Sequence, residues 1–392
     1  MKKIRIAVSC GEASGDLNAG YLIKNIKKQH KNVDFYGIGG KHLKDAGCEI
    51  LFETEQFGTI GVVQAIKVFF KLLSIYKKFK KYIIKDKPDA LLCVDFGFFN
   101  TRLIKEAAKA GIKNIYYFPP ASWKKSLKHA NALVESKSRV ITPFPWSEKI
   151  LKGFGLDARF LGHPLLDIAK ATKSLSEFQR DNNIPTKATT LGFLPGSRKF
   201  EISMHIKVFG ETIKKLYREN SESIFLIASS SRYKDYIEKS LKATCEDAFY
   251  NIRIITNETY NIMSYSDFLF CCSGTATLEA SIIGTPMVIL YKGTSLMKLE
   301  YLIRKRGLPT IIGMPNIILD RYAVPELISD KVNSKEMIKA YKESMKNIPQ
   351  IKADFSQIRG ILGEEPVIDK IVETFAQMAN LEDYGQYNKK NN

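Results

Sequence analysis

The sequence has little that would bind a metal, form a disulfide framework or cross a membrane. Its 392 residues include six cysteines and five histidines, without a CxxC pair or a cluster at metal-ligand spacing. Most of the cysteines lie in apolar, strand-like runs, which is typical of buried thiols in a reducing compartment. No run of about 18 apolar residues is present, and the apolar run near the N-terminus is too short for a signal peptide. These absences predict a cytoplasmic protein that binds no metal.

Acidic residues are too few to balance the basic ones. The chain has 60 Lys and Arg against 41 Asp and Glu, which gives a formal net charge of +19. Such an excess favours nucleic acid, anionic lipid or phosphorylated metabolites as partners, although a genome-wide lysine bias would produce it as well. No recognised nucleic-acid-binding module organises the basic residues, so we expect no nucleic acid partner.

Short, β-rich apolar runs alternate with helical stretches along the chain. This alternation predicts an α/β fold with parallel sheets and crossover helices. A polar stretch without a strand separates two series of such runs, so we predict two domains. We place an N-terminal Rossmann-like domain at residues 1–165, a linker at 166–188, and a C-terminal Rossmann-like domain at 189–365, with a helix and a polar tail at 366–392. A ligand cleft is expected between two such domains.

The strand candidates locate the loops that could carry chemistry. In the first domain the predicted strands are Ile4–Cys10, Val33–Ile38, Ala90–Asp95, Asn114–Phe118, Val140–Pro143 and Ala158–Leu161. In the second they are Thr189–Leu194, Ser223–Ser229, Asn251–Ile255, Phe268–Cys272 and Met287–Tyr291. Ligands of open α/β sheets bind outside the carboxyl ends of the strands, so the loops after these runs are candidate sites.

A glycine-rich turn, "SCGEASGDLNAG", follows the first predicted strand and leads into a helix. Gly11 and Gly15 permit tight turns, and Ser14 or Asp16 can cap the next helix. The turn would direct backbone N–H groups and a helix N-terminus at a phosphate or a sugar. It does not match the dinucleotide pattern GxGxxG, and many strand-to-helix turns share part of it.

Two turns of the second half have the features of a nucleotide-sugar site. In "LPGSR", Ser197 and Arg198 begin a helix, where the guanidinium can pair with a diphosphate. In "SGTATLEA", Thr275 and Thr277 offer hydroxyls at a helix start, and Glu279 lies about one turn in, placed for a ribose diol. An arginine on a surface turn is the alternative for Arg198, whereas the spacing of the second turn is distinctive.

Residues 66–87 have an amphipathic helical pattern. Ile66, Phe69, Phe70 and Leu73 begin an apolar stripe at helical spacing, and eight lysines occupy much of the remainder. Apolar side chains on one face and lysines on the other suit a helix that lies on an anionic lipid surface. A crossover helix with a solvated lysine face would have the same pattern.

Taken in order, these motifs resemble those of the lipid-A-disaccharide synthase family. The resemblance runs from "GEASGD" through "GIGG", "FLGHPLLD", "LPGSR" and "SGTATLEA" to "PNIILDRYAVPEL", and so covers most of the chain. It implies a GT-B glycosyltransferase, with two doubly wound parallel-sheet domains and C-terminal helices that pack back on the first. The family forms a β-1,6 disaccharide from UDP-2,3-diacylglucosamine and 2,3-diacylglucosamine 1-phosphate at the inner face of the cytoplasmic membrane, with inversion and without a metal or other cofactor.

The resemblance also implies roles for individual residues. The donor, UDP-diacylglucosamine, would bind the second domain through Ser197, Arg198, Ser273, Gly274, Thr275, Thr277 and Glu279, with Asn316 and Arg321 closing the pocket. The lipid acceptor would lie against the first domain, near Ser14, Gly15, Asn100 and His163. The apolar stripe and the lysines of residues 66–87 would contact the anionic membrane. A lone histidine is more often structural than ligand-binding, and the sequence leaves open whether the protein forms an oligomer.

One acceptor loop departs from the family pattern. That pattern reads approximately Asp-x-Pro-Asp-Phe-Asn, and its second aspartate is the leading candidate for the base that deprotonates the acceptor hydroxyl. Here "LLCVDFGFFN" keeps Asp95 and Asn100 but has Phe98 in that position. Gln64 and the segment "PPASWKK" depart from the pattern as well, whereas the donor motifs are close to it.

The departures leave the base and the acceptor open. We predict that Asp95 replaces the missing base, because it lies at a strand end, and that Glu12, Asp16 and His163 are the alternatives. Two other functions remain: a GT-B relative with a UDP-sugar donor and a different acceptor, or a non-catalytic protein that binds a UDP-sugar or lipid.

Overall fold

The computed structural model describes residues 3–54, 62–124, 130–292 and 311–381; for residues 62–68 it describes the helical backbone and not the side chains. The polar tail predicted at the C-terminus lies outside this part from residue 382 onwards. The chain divides into two compact units. Unit 1 comprises Met1–Asp167 and Leu362–Asn392, and unit 2 comprises Ile168–Ile361.

Unit 1 is built on a parallel sheet of seven described strands. They are β1 Ile4–Cys10, β2 Val33–Gly39, β3 Glu49–Glu53, β4 Ala90–Val94, β5 Lys113–Tyr117, β6 Arg139–Thr142 and β7 Ala158–Phe160, in the order β3-β2-β1-β4-β5-β6-β7. The helices up to residue 168 are α1 Ala13–Gln29, α2 Lys41–Asp45, α3 Val62–Asp86, α4 Gly97–Lys109, α5 Asn131–Glu135, α6 Pro145–Gly153 and α7 Leu165–Ile168.

Unit 2 is built on a parallel sheet of six described strands. They are β8 Thr190–Leu194, β9 Ile224–Ser229, β10 Ile252–Thr256, β11 Phe268–Cys272, β12 Met287–Tyr291 and β13 Glu326–Ile328, in the order β10-β9-β8-β11-β12-β13. The helices are α8 Leu175–Asp181, α9 Lys199–Glu219, α10 Lys234–Thr244, α11 Thr259–Tyr265, α12 Thr275–Ile283, α13 Met314–Leu319, α14 Ser334–Lys346 and α15 Ile348–Leu362. These two sheets confirm the predicted pair of Rossmann-like folds.

The apolar runs of the central strands follow from their place in the sheets. Every residue of β4 and of β11 is buried, because helices cover both faces of a parallel sheet. A crossover helix needs only one apolar face, and α3 provides it in its second half, where Ile75, Phe79 and Ile83 are buried at intervals of four residues. The amphipathic pattern of residues 66–87 therefore predicted α3 correctly.

The last helix, α16 Ile368–Ala379, packs against α1 of unit 1. The carboxylate of Asp167 accepts hydrogen bonds from the N–H groups of Val367 (2.9 Å) and Ile368 (2.7 Å) at its start. Arg139 of β6 donates to the carbonyl of Met378 near its end (2.5 Å). These contacts confirm that the C-terminal helix returns to the first unit.

The segment predicted as a linker is anchored on unit 2 over part of its length. The side-chain oxygen of Asn261 accepts hydrogen bonds from the N–H groups of Thr172 (2.8 Å) and Lys173 (3.3 Å). The ammonium group of Lys173 also pairs with Glu258 at 2.8 Å. Residues 172 and 173 are thus held by the loop and helix that follow β10.

Candidate functional site

The motif-bearing loops follow strands that are neighbours in each sheet. In unit 1, β1 and β4 pair directly, and their following loops are the glycine-rich turn and the Asp95 turn. In unit 2, β8 and β11 pair directly, and their following loops are "LPGSR" and "SGTATLEA". In both sheets the strand order reverses its direction between these two strands. This is the topological switch point, where open α/β sheets bind their ligands.

The Asp95 turn has an unusual backbone. Asp95 and Phe96 both adopt left-handed conformations, with φ of 48° and 51°. Such a conformation costs roughly 1–2 kcal/mol for a residue that has a Cβ atom. Two consecutive residues of this kind require strong restraint from their surroundings, and strain that is kept in this way is common at functional sites.

The restraint comes from both strands that flank β4. Asn100 donates from its amide nitrogen to the carbonyl oxygens of Asp95 and of Ser9 on β1, each at 3.0 Å. The Ser9 hydroxyl donates in return to the Asn100 side-chain oxygen (2.6 Å). From β5, the Tyr116 hydroxyl donates to the same Asp95 carbonyl (2.7 Å). Asn100, predicted as an acceptor-loop residue, is fully buried and fixes the turn.

The glycine-rich turn closes over the Asp95 turn. A Cβ atom at Gly11 would lie 2.3 Å from the Phe96 ring, so only glycine allows the ring to reach this position. A Cβ atom at Gly15 would lie 3.5 Å from the Cβ of Asp95 and 3.1 Å from the Cys10 sulfur. The predicted loop residues Gly15 and Asp95 are therefore brought together, with Glu12 on the exposed part of the same turn.

The surroundings of Asp95 favour its protonated form. Burial, and secondarily the negative charge of Glu12, raise the pKa of Asp95 from 3.8 to about 6, although the N–H of Phe96 stabilises the ionised carboxylate. A carboxylic acid with a pKa near the working pH can take and release a proton efficiently. Asp95 thus has the properties of a general base, and Glu12 contributes to them through its charge.

The other candidate bases have structural contacts. The Asp16 carboxylate accepts hydrogen bonds from the N–H groups of Gly40 (2.7 Å) and His42 (2.8 Å) at the start of α2. His163 is buried, and burial lowers its pKa from 6.5 to about 3. Its Nδ1 accepts from the N–H of Leu165 (3.2 Å). These contacts favour positioning roles for both side chains.

The predicted cap of the helix after the glycine-rich turn is wrong. We expected Ser14 or Asp16 to cap it, but α1 begins at Ala13, so both residues lie inside the helix. Its N-cap residue is Glu12, which makes no side-chain capping bond. Asp16 instead caps α2, a helix that the sequence pattern did not reveal.

Of the predicted lipid-facing residues whose side chains the structure describes, Phe69 and Phe70 are exposed and Leu73 is not. Phe69 and Phe70 are 48% and 62% exposed, their ring centroids are 5.9 Å apart, and Leu73 is half-buried. Phe98 is 64% exposed at the start of α4. The side chains of Gln64 and Ile66 lie outside the described residues.

The turn after β8 is shaped by a residue that the sequence analysis did not single out. Glu201, in the first turn of α9, accepts hydrogen bonds from the N–H groups of Ser197 (2.9 Å) and Arg198 (3.2 Å), and it pairs with the Arg198 guanidinium (3.2 Å). Half of the Arg198 side chain remains exposed. A glutamate three residues after the N-cap is a known helix-start signal, so the sequence could have indicated it.

The turn after β11 exposes a helix N-terminus. No side chain caps α12, whose N-cap residue Gly274 has φ of 154° and leaves open space where a Cβ would stand. Ser273 is half-buried and Thr275 is exposed, but the Thr277 hydroxyl is buried and donates to the Gly274 carbonyl (2.8 Å). Thr277 therefore holds the turn from inside.

Glu279 lies on the second turn of α12. Burial raises its pKa from 4.5 to about 7, although the Tyr260 hydroxyl, which donates to its carboxylate at 3.1 Å, stabilises the ionised form. The sequence predicted Glu279 but not Tyr260, which comes from α11 and has no sequence signal of its own.

The two residues expected to close the donor pocket are held by other side chains. The Asn316 side-chain oxygen accepts from the N–H groups of Ala323 (2.8 Å) and Val324 (3.1 Å), and its nitrogen donates to Glu326 (2.8 Å). The guanidinium of Arg321 pairs bidentately with Asp354, at 2.6 and 2.8 Å. Both residues stabilise the "PNIILDRYAVPEL" segment, and Glu326 joins them as a residue that the sequence analysis missed.

The described residues contain neither a candidate metal site nor a candidate membrane span. No group of three or more His, Cys, Asp or Glu side chains among them is arranged to hold a metal ion. None of the helices in the described ranges is both long and apolar enough to cross a bilayer.

Comparisons with known proteins agree with this geometry. The family model described as lipid-A-disaccharide synthetase matches residues 6–378. The lipid-A-disaccharide synthase of Aquifex aeolicus is 32% identical over 384 residues, covering 96% of this chain and 100% of that protein. The UDP-GlcNAc 2-epimerase of Neisseria meningitidis was solved with UDP-GlcNAc bound. Its structure matches with a TM-score of 0.63 and 13% identity, over 95% of this chain and 100% of that one. The calicheamicin glycosyltransferase CalG4 matches with a TM-score of 0.61 and 10% identity over 97% and 99% of the two chains. These likenesses show the GT-B fold.

Proposed function

Because the chain belongs to the lipid-A-disaccharide synthetase family, we propose that it transfers 2,3-diacylglucosamine from UDP-2,3-diacylglucosamine to 2,3-diacylglucosamine 1-phosphate. The products are the β-1,6 lipid A disaccharide and UDP. The reaction inverts the anomeric carbon and needs no metal in this proposal. Donor and acceptor would bind at the switch points of unit 2 and unit 1, respectively.

The position and the pKa of Asp95 carry this proposal. Its carboxyl group lies at the carboxyl end of β4 with a pKa of about 6, so it is largely ionised near neutral pH. It would accept the proton of the acceptor 6-hydroxyl as that oxygen attacks the anomeric carbon. A new carbon–oxygen bond forms, the bond from the anomeric carbon to UDP breaks on the opposite face, and the proton remains on Asp95 until solvent removes it.

Unit 2 would stabilise the leaving UDP. As the glycosidic bond to UDP breaks, negative charge accumulates on the diphosphate. Arg198, whose guanidinium also pairs with Glu201, would supply a positive charge. The exposed N-terminus of α12 at Gly274 and Thr275 would supply N–H donors and a partial positive charge. Glu279 would accept a hydrogen bond from a ribose hydroxyl. This set of cationic and N–H groups supports a mechanism that uses no metal.

We also propose that α3 touches the anionic inner face of the cytoplasmic membrane. Its second half buries an apolar face in unit 1, but Phe69 and Phe70 in its first half are exposed. Lys77 and Lys78 are exposed as well, which provides the cations that attract anionic lipid. Exposed aromatic pairs on a lysine-rich helix suit an interfacial position better than a solvated crossover helix.

The direct test is a two-substrate assay. The purified protein is incubated with UDP-2,3-diacylglucosamine and 2,3-diacylglucosamine 1-phosphate, and the products are analysed by mass spectrometry and UDP release. The proposal predicts the disaccharide and one UDP for each disaccharide. UDP binding without product under these conditions would contradict it and would favour a non-catalytic UDP-sugar-binding protein.

Phe98 favours a second candidate, a GT-B transferase with a UDP-sugar donor and a different acceptor. The ring is exposed at the start of α4, where the family pattern has a carboxylate. Offering the same donor with a series of acylated sugar acceptors separates the two candidates. UDP release with another acceptor, and none with the 1-phosphate, would support the second.

A further inference from the structure

Phe98 and Arg102 form a pair at the start of α4. The Arg102 guanidinium carbon lies 4.0 Å from the centroid of the Phe98 ring, within the range of a cation–π interaction. The ring is 64% exposed and Arg102 is exposed as well. Within residues 3–54, 62–124, 130–292 and 311–381, no carboxylate lies at ion-pair distance from Arg102.

The pair changes the charge of the acceptor loop. A carboxylate at position 98 would stand four residues before Arg102 on one helix face, which is the spacing of an intrahelical ion pair. The Phe98 ring face contacts the guanidinium instead, and no carboxylate among the described residues pairs with its positive charge. The loop thus has one negative charge fewer than the family pattern, and it has a cation against the Phe98 ring.

The surroundings of the pair define what could bind there. Arg102 lies five residues after Gly97, about 8 Å along the helix, so it is within the span of one hexose phosphate from the Asp95 turn. No side chain caps the N-terminus of α4, which adds a partial positive charge beside Phe98. Tyr76 of α3 packs against Phe99, with the two ring centroids 5.4 Å apart. Phe69 and Phe70 lie about two helical turns before Tyr76 on the same helix.

We propose that Phe98 and Arg102 form the subsite for the phosphate monoester of an acylated sugar 1-phosphate acceptor. The guanidinium would bind two phosphate oxygens, and the Phe98 ring would contact the sugar and the first carbons of its acyl chains. The ring also holds the guanidinium in place, so less side-chain freedom is lost when the ligand binds. The inference rests on the proposed function, because it assumes that the acceptor binds beside Asp95.

Equilibrium binding of two micelle-dispersed lipids tests the subsite. One lipid is 2,3-diacylglucosamine 1-phosphate and the other is 2,3-diacylglucosamine without the phosphate. We expect Arg102→Gln to weaken binding of the first by about tenfold to a hundredfold, since it removes a charge-assisted hydrogen bond. Binding of the second should change less than about twofold by the same reasoning. Equal weakening for both lipids, or no weakening for either, would overturn the proposal.

Two variants serve as controls. Lys109→Gln removes one positive charge from the same helix, at an exposed residue that pairs with Glu106. This variant should bind both lipids as the wild type does. Phe98→Leu keeps an apolar side chain but removes the aromatic face, and it should weaken phosphate-dependent binding by less than Arg102→Gln does. A stronger effect of Lys109→Gln than of Arg102→Gln would show a general charge effect and reject the subsite.

Vesicles of phosphatidylglycerol without acceptor distinguish a sugar phosphate from a membrane headgroup. Wild type and Arg102→Gln should bind them equally, and a loss as large as that for the acceptor would make the pair a membrane contact. The two proposals also fail differently. Phosphate-dependent binding through Arg102 without disaccharide formation would reject the proposed reaction, whereas disaccharide formation without that binding difference would reject the subsite.

Discussion

The two switch points have the same strand order but differ in how their loops are made. In unit 2, the turn after β11 reaches its special backbone conformation with Gly274, and the helix N-terminus is left exposed. In unit 1, the turn after β4 uses Asp95 and Phe96, whose left-handed conformations carry a steric cost because both residues have a Cβ atom. A backbone that binds phosphate needs no side chain, whereas a base must have one. The difference indicates that strain is kept where a side chain has to be fixed.

Among the variants, Asp95→Asn should have the largest effect, because it removes the side chain that distinguishes the turn of unit 1 from that of unit 2. Removing a general base is expected to lower the turnover number by about a hundredfold to ten-thousandfold, while the affinity for UDP stays the same. UDP release and UDP titration measure the two effects. A variant with near wild-type turnover would show that unit 1 does not supply the base through this residue.

The same variant has a predicted effect on stability. The folded protein holds the Asp95 proton more tightly than an unfolded chain does, because its pKa is raised from 3.8 to about 6. The ionised carboxylate therefore lowers the free energy of unfolding as pH rises from about 4 to about 6. Asn cannot ionise, so Asp95→Asn should raise the Tm at pH 7 but not at pH 3.5. Equal Tm values at pH 7 would contradict the buried environment assigned to this carboxyl group.

Arg198→Ala should give the opposite pattern in unit 2. The variant lacks the guanidinium that would stabilise the leaving diphosphate. We therefore expect turnover to fall by about a hundredfold and UDP to bind more weakly. Arg198→Lys should recover part of the lost turnover, because lysine restores the positive charge without the bidentate geometry of arginine. Unchanged UDP affinity in Arg198→Ala would remove this residue from the donor site.

Tyr116→Phe sharpens the comparison, because it alters the restraint and leaves the base intact. It removes one hydrogen bond to the Asp95 carbonyl, which is worth about 1 kcal/mol, so turnover should fall by about fivefold. The acid limb of the pH profile should also move, because the carboxyl group is less firmly held in its buried position. Loss of stability with an unchanged pH profile would instead indicate a purely structural hydroxyl.

Glu12→Gln should have the smallest effect. The rate should rise with pH through about 6 in the wild type, because Asp95 must be ionised to accept a proton. Without the charge of Glu12, the pKa of Asp95 falls, so the acid limb should move to lower pH while the plateau stays nearly the same. A strongly reduced maximal rate in the pH profile of Glu12→Gln would indicate that Glu12 is itself a catalytic residue.

Buried parallel strands could be predicted from the sequence, and edge strands could not. The bounds of β1, β11 and β12 match the predicted runs, because strands covered on both faces are continuously apolar. The strand β3 has a glutamate at each end and lies at an edge, and β13 has only three residues, so neither gave a signal. The helix α1 begins at Ala13, before the caps expected at Ser14 or Asp16, since its first turn has no apolar periodicity.

The sequence could predict only those site residues that are marked by their position relative to a strand end or a helix start. Asp95 directly follows β4, Arg198 stands four residues after the end of β8, and Glu279 lies four residues after the start of α12. Tyr116 acts on Asp95 because β5 pairs with β4, and such a partner depends on strand order. The same holds for Tyr260, which reaches Glu279 from another helix.

The contact between Gly11 and Phe96 has a consequence for how this family can vary. No side chain fits at position 11 while the ring lies against its backbone, and a smaller residue at position 96 would leave a gap beneath the left-handed turn. The two positions are 85 residues apart in the chain, yet a side chain at position 11 requires a change at position 96. In descendants of this sequence they should mutate together or remain as they are.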